Sequence, residues 1–190
     1  MVLLIDNYDS FTYILRDYLL QANQEVYTIK NDEVTLEYLK AKTFSSIVIS
    51  PGPNSPSMSG ITMDVINHFH ETTPILGVCL GAQAIGEFFG MNLIKASKPM
   101  HGLTSTIHIK HHPIFELLPE KFQVMRYHSL ILQNKKTTFL NIIAETELQE
   151  VMAIAHKHLP IVGLQFHPES VMTENGLMMI KNWFKNISAL

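Results

Sequence analysis

The chain alternates short, unbroken apolar runs with longer stretches whose apolar residues recur at helical spacing. Val2 to Ile5, Val26 to Ile29, Ile47 to Ser50 and Ile75 to Val78 read as strands. Helices are expected between them, over about Phe11 to Gln21, Leu36 to Lys42 and Thr62 to Glu71, and another directly after Cys79. Apolar strands separated by helices indicate a parallel sheet covered on both faces. From about Leu103 to Phe166 the rhythm changes: Thr104 to Lys110, Gln123 to Arg126 and Ile142 to Ala155 read as strands between Pro, Asn and Gly signals, which predicts a partly antiparallel extension. Glu174 to Ile187 closes the chain as a helix whose apolar stripe is Leu177, Ile180, Trp183, Phe184 and Ile187. The expected fold class is therefore α/β, with a mostly parallel central sheet, helices on both faces and that extension.

Composition narrows the classes. At 190 residues, 46% hydrophobic and 16% charged, the chain fits one well-cored domain over residues 1–190 and leaves no room for a second catalytic domain. A net charge of -3 without a dense Lys or Arg run gives no footprint for nucleic acid. A single cysteine excludes an internal disulfide and any multi-cysteine zinc site. No basic leader precedes Met1 to Asp6 and no stretch approaches a membrane span, so a reducing, cytoplasmic location is expected. The ten histidines, among them His108, His111, His112, His156 and His158, lie in polar or turn-like segments and read as solvent-facing rather than as metal ligands, and the ten methionines read as core filler.

The polar motifs fall at strand ends: Asp6 to Ser10, Ser50 to Pro56, Cys79, and His167 to Glu169. Ligands of open α/β sheets bind at the carboxyl ends of the strands. Cys79 has Gly77 two residues before it and Gly81 two residues after, the spacing of a sharp strand-to-helix turn that holds a nucleophile at a helix N-terminus. A lone intracellular cysteine is most often a small buried hydrophobe. The second element changes that balance, because the apolar run Ile161 to Phe166 leads into His167, Pro168 and Glu169. Residues two apart in an extended segment face the same way, so Glu169 can orient the His167 imidazole. Pro168 cannot donate to a sheet ladder, which predicts an exposed strand end for the trio. Sulfur, base and an acid orienting the base are what covalent acyl transfer requires. Ser10 is read as the cap of the first helix.

These residues resemble a known family. Asp6 to Tyr13, Ser50 to Pro53, Gly77 to Gln83, Tyr127 to Ser129 and Gln165 to Ser170 are similar to the class I, triad-type glutamine amidotransferases, and Met100 to Gly102 together with the opening Asp6 to Tyr13 run points to the chorismate branch, the glutaminase subunits of anthranilate and aminodeoxychorismate synthases. The resemblance implies a flavodoxin-like fold with Cys79 as nucleophile, His167 as base and Glu169 as orienting acid; no cofactor and no metal are expected. It implies oxyanion contacts from the backbone amides of Gly52 and Leu80, and a glutamine site at Gly52, Pro53, Asn54, Gln83, Ser129 and Leu130. Position also speaks for two of these: the amide of Leu80 follows the nucleophile, and Gly52 lacks a side chain that would obstruct substrate. The implied partners are L-glutamine and a chorismate-binding synthase subunit. Four residues depart from the pattern: Ala82 stands where histidine is common, Asn54 for a glycine, Leu103 for a lysine in the partner-facing segment, and Ile14 for an asparagine. The rival readings are a stand-alone cysteine hydrolase of γ-glutamyl or peptide bonds and a catalytically silent binding protein.

Overall fold

The computed structural model describes residues 1–133 and 139–188; the remainder of the expected 1–190 domain lies outside the described residues. Nine strands form one continuous sheet in the order β2-β1-β3-β4-β9-β8-β7-β5-β6. Its first half is parallel: β1 (Val2–Asp6) lies between β2 (Val26–Lys30) and β3 (Ser46–Ile49), followed by β4 (Ile75–Val78) and β9 (Ile161–Leu164). β1, β3, β4 and β9 are buried at every position, as strands covered on both faces must be. Alternate residues feed two cores. Val2, Leu4, Val48 and Leu76 pack with α1 (Thr12–Gln21) and α5 (Gly176–Ile187). Leu3, Ile5, Ile47 and Ile75 pack with α2 (Leu36–Lys40), α3 (Thr62–Phe69) and α4 (Leu80–Phe88) on the other face.

The second half is antiparallel: β9 pairs with β8 (Val151–His156), β8 with β7 (Leu140–Thr146), and β7 with the far end of β5 (Asn92–Ile109), which pairs along its length with β6 (Lys121–Gln133). The extension differs in detail from expectation. The strand read over Ile142 to Ala155 is a hairpin, turned at residues 147–150 by Gln149 at φ 61° and by bonds from Gln149 N to Thr146 O and from Thr146 N to Glu150 O. The turn contains neither Gly nor Pro, so its flanking apolar residues masked it. β5 begins eleven residues before its expected neighbourhood of Leu103, because Asn92 to Pro99 is a mostly solvent-facing strand whose polar residues carry no burial signal.

β6 also closes over the carboxyl end of the parallel half. His167 N donates to Met125 O (3.0 Å), Met125 N to Thr173 Oγ1 (2.9 Å) and Glu174 N to Gln123 O (3.0 Å). The expected exposed strand end is therefore buried, with His167 and Glu169 each only 1% exposed. Ser10 does not cap α1: Asp9 Oδ1 accepts from Phe11 N instead, and the exposed Ser10 is bypassed by that Asx turn.

Candidate active site

Cys79 stands at the junction of β4 and α4 with φ 50° and ψ -102°, a backbone conformation that costs energy for any residue with a Cβ. The surrounding packing enforces it. A Cβ at Gly77 would lie 2.4 Å from the Gly81 carbonyl group, and one at Gly81 would lie 2.5 Å from Ile49 O. The glycine spacing read from the sequence thus has its steric cause in strand and helix meeting backbone to backbone. Cys79 N is tied to Leu164 O at 2.7 Å, and the sulfur sits at the start of α4.

His167 and Glu169 meet as expected, Nδ1 to Oε1 at 2.7 Å in a wholly buried pair, but across a turn closed by Ser170 N on His167 O (3.3 Å) rather than along an extended segment. Burial alone would pull the imidazole pKa down, but hydrogen bonding and charge from Cys79 and Glu169 outweigh it and raise it to about 10. With Nδ1 taken by Glu169, Nε2 is left for the sulfur. Nε2 has no well-formed hydrogen bond among the described residues. The rings of Phe11 and Tyr127 each lie 5.2 Å from the His167 ring and 5.1 Å from one another, which shields the imidazole from water.

A cavity of about 120 Å³ opens beside the sulfur, lined by Gly52, Pro53, Asn54, Cys79, Gln83, His101, Tyr127, His128, Ser129 and Leu130. All the expected glutamine-site residues except Leu80 line it; Leu80 borders it as the residue after Cys79. Neither the Gly52 nor the Leu80 amide N–H donates to any described residue. Asn54 adopts φ 66°, a left-handed conformation that asparagine accepts more readily than most residues. The reason for glycine at 52 differs from expectation: a Cβ there would lie 2.5 Å from Asn7 Cβ, so the constraint is packing beneath the loop rather than clearance for a substrate. A larger hollow of about 610 Å³ between Ile109 and Glu120 shares no residue with the site and is lined by no cysteine, serine or threonine.

Several contributors had no role assigned from the sequence, although Asn7 and His128 lie within its motifs. Asn7 braces the Ser50–Asn54 loop, its backbone N–H donating to Ser50 Oγ (2.9 Å) and its Nδ2 to Ser50 O (3.1 Å), while Oδ1 accepts from Asn31 Nδ2 and Thr62 Oγ1. It ends an apolar strand, and that position was the available signal. His128 is buried and held neutral, its pKa lowered to about 3 by burial and by Arg126. Arg126 Nε donates to His128 Nε2 (3.1 Å), which leaves Nδ1–H to donate to Leu130 O (3.0 Å). Arg126 Nη2 lies 2.8 Å from Glu150 Oε2, close enough to pair charges though not aligned as a hydrogen bond.

The strained cysteine elbow, the histidine–glutamate pair and the two free amides gather beside this cavity at the carboxyl end of the parallel half, and the chain belongs to the class-I glutamine amidotransferase family, whose profile matches residues 3–187. Within it the chain is 43% identical over 186 residues to the aminodeoxychorismate/anthranilate synthase component 2 of Bacillus subtilis, covering 97% of this chain and 96% of that one. It is 42% identical over 184 residues to aminodeoxychorismate synthase component 2 of Escherichia coli, covering 96% and 98%. In fold it is similar to the crystal structure of a putative GMP synthase protein from Thermoplasma acidophilum, with a TM-score of 0.87 at 24% identity over 99% of this chain and 94% of that one.

Proposed function

We propose that this chain is the glutaminase subunit of a chorismate-using synthase, hydrolysing L-glutamine to glutamate and ammonia and passing the ammonia to its partner. The observation that carries this is the convergence of Cys79, Gly52, Gln83, Ser129 and Leu130 on one cavity of about 120 Å³, small against the roughly 300–1,000 Å³ of sites for larger ligands, and so suited to a free amino acid rather than a polypeptide. The full-length likeness to component 2 proteins supplies the synthase context.

In this reading the Cys79 thiolate attacks the glutamine carboxamide carbon, and the negative oxygen that forms is held by the N–H groups of Leu80 and Gly52. Each such donor contributes about 10²- to 10³-fold in rate. The His167 imidazolium gives its proton to the departing ammonia, leaving a glutamyl thioester. Neutral His167 then deprotonates water, the hydroxide adds to the thioester, and collapse expels the thiolate and releases glutamate. Glu169 holds the ring in orientation through both stages. Ammonia freed into neutral water becomes ammonium and stops being a nucleophile, so a biosynthetic glutaminase has to sit against its acceptor site. The chain acts as one unit in the cytoplasm beside a component I protein, which chooses between anthranilate and aminodeoxychorismate as product. Among the described residues, no helix is long and apolar enough to cross a membrane.

Glutamate release measured on the purified chain, with and without a chorismate-using component I, tests the reading. Cys79→Ser should fall to background, and γ-glutamyl peptides should be poor substrates. Full glutamate release by Cys79→Ser, or preference for the peptides, overturns it.

A further inference from the structure

Gln165 is a buried amide that glutamine hydrolysis by the triad leaves without a role. It is 1% exposed and directly follows β9, two residues ahead of His167. Its backbone N is fixed to Met152 O at 2.8 Å. Its side chain is fixed at both ends: Oε1 accepts from Gln83 Nε2 (3.2 Å), and Nε2 lies 3.8 Å from Cys79 Sγ. The first contact dictates the second, because an amide whose oxygen is taken by Gln83 has only its NH₂ to present to the sulfur.

Gln83 is itself held in one orientation. Gln83 Nε2 also donates to Leu130 O (3.1 Å), the carbonyl that accepts from His128 Nδ1, and His128 is set in that tautomer by Arg126, which is itself paired with Glu150. Leu130 O thus accepts from both Gln83 and His128, and Gln83 turns its Nε2 toward two acceptors, Leu130 O and Gln165 Oε1. The side chains of Arg126, His128, Gln83 and Gln165 all lie within a few per cent of full burial, where an amide with no partner costs about 1–3 kcal/mol. An apolar residue would fill position 165 without that cost unless the N–H had something to do.

We infer that Gln165 is a further catalytic residue, a neutral donor that holds the Cys79 thiolate, its amide oriented by Gln83. A neutral donor stabilises the thiolate without competing for the proton on His167. The inference deepens the glutaminase reading and rests on it for the role of the thiolate, but the sulfur's reactivity is measurable without glutamine.

The test is the second-order rate of iodoacetamide alkylation at neutral pH, read by mass at Cys79, with Cys79→Ser as the blank. Gln165→Met keeps length and volume and should alkylate about 5- to 10-fold more slowly, the size of one net hydrogen bond. Gln165→Glu, which sets acceptor oxygens against the sulfur, should be slower still. With glutamine as substrate, kcat should fall in the same order while KM stays within about twofold, since the loss is of nucleophile stabilisation rather than of uniform binding. Folding of both variants is checked by thermal melting, and either folded variant suffices. Alkylation of a folded variant at the wild-type rate overturns the inference. A wild-type chain that alkylates as expected but releases no glutamate, alone or with its partner, overturns the glutaminase reading instead.

Discussion

The parallel and antiparallel halves of the sheet build opposite walls of one cavity by different means. The parallel half supplies the sulfur and the free amides of Leu80 and Gly52 through backbone geometry: a turn at Cys79 with φ 50° and a loop braced by Asn7. The antiparallel half supplies the facing wall, Tyr127 to Leu130, through side-chain contacts that include a buried ion pair and a neutral histidine. The contrast teaches that chemistry here is a local property of one turn, whereas the cavity is a long-range product of how two halves of a sheet fold against each other.

The sharpest way to break this comparison is to disturb the turn alone. In Gly77→Ala the new Cβ would meet the Gly81 backbone at 2.4 Å, and neither neighbour is a flexible side chain that could yield. Overpacking typically costs about 1–3 kcal/mol, and a misplacement of reacting atoms by about 1 Å costs about 10²-fold in rate. Gly77→Ala should therefore lose about 3 kcal/mol in urea unfolding and at least about 10²-fold in glutamate release. Wild-type activity in this variant would show that the turn tolerates what the packing forbids.

In the other half, Arg126→Met should act through stability and substrate binding. It leaves the Glu150 carboxylate, whose side chain is 12% exposed, without its cation and frees the His128 ring from its imposed tautomer. Removing one partner of a buried pair costs about 3–5 kcal/mol; the remaining exposure of Glu150 sets the expectation at about 3 kcal/mol. KM for glutamine should rise more than kcat falls, because the Ser129–Leu130 wall loosens while the turn at Cys79 is untouched. A fall in kcat at unchanged KM would place the ion pair with the chemistry instead.

What the sequence revealed follows the same division. The elbow was legible because Gly77, Cys79 and Gly81 sit within one turn; the pairing of His167 with Glu169 was read from the two-residue period of extended chain, and it holds although the segment is a turn closed by Ser170 N on His167 O. β6 was illegible as a cavity wall: its closure depends on the bulged register with β5 between Lys95 and Leu103, and on bonds that join Met125 and Gln123 to residues far along the chain, His167, Thr173 and Glu174. No local pattern encodes either. Only the family resemblance picked out Ser129 and Leu130, and nothing in the periodicity marked Arg126, which behaves as a core residue only because Glu150 arrives from a turn that reads as strand interior. Gln165 lies within a motif of the family, yet its target became visible only with the orientation of its amide.

Acid and alkali should also separate the halves, because their histidines shift in opposite directions. His167 is raised from 6.5 to about 10, burial being outweighed by Cys79 and Glu169, so the native state holds a proton that the unfolded chain has lost. Its stabilising contribution is complete below about 6.5 and is lost as pH rises through about 10. His128 is lowered from 6.5 to about 3, mainly by burial, so the native state refuses a proton the unfolded chain accepts. Stability should therefore drain from His128 as pH falls from about 6.5 toward 3. Urea midpoints measured across that range should show His167→Asn flattening the alkaline slope and His128→Asn the acid slope. Exchange of the two effects would mean the charge states are reversed.

The smallest expected effect tests whether ion pairs in the antiparallel half matter for being ion pairs or for being buried. Lys110 Nζ and Glu145 Oε2 join the ends of β5 and β7 at 3.0 Å, close to the Arg126–Glu150 distance of 2.8 Å, yet their side chains are 58% and 28% exposed against 3% and 12%. Water already solvates both charges before folding and screens them after it, so Lys110→Ala should cost no more than about 0.5 kcal/mol, a difference that salt at about 1 M erases. The Arg126→Met loss should persist in the same salt, because the penalty there is a carboxylate stranded away from water rather than an attraction withdrawn. Equal losses at the two pairs, or equal sensitivity to salt, would show that the wall of the cavity is held by surface electrostatics rather than by a buried pair.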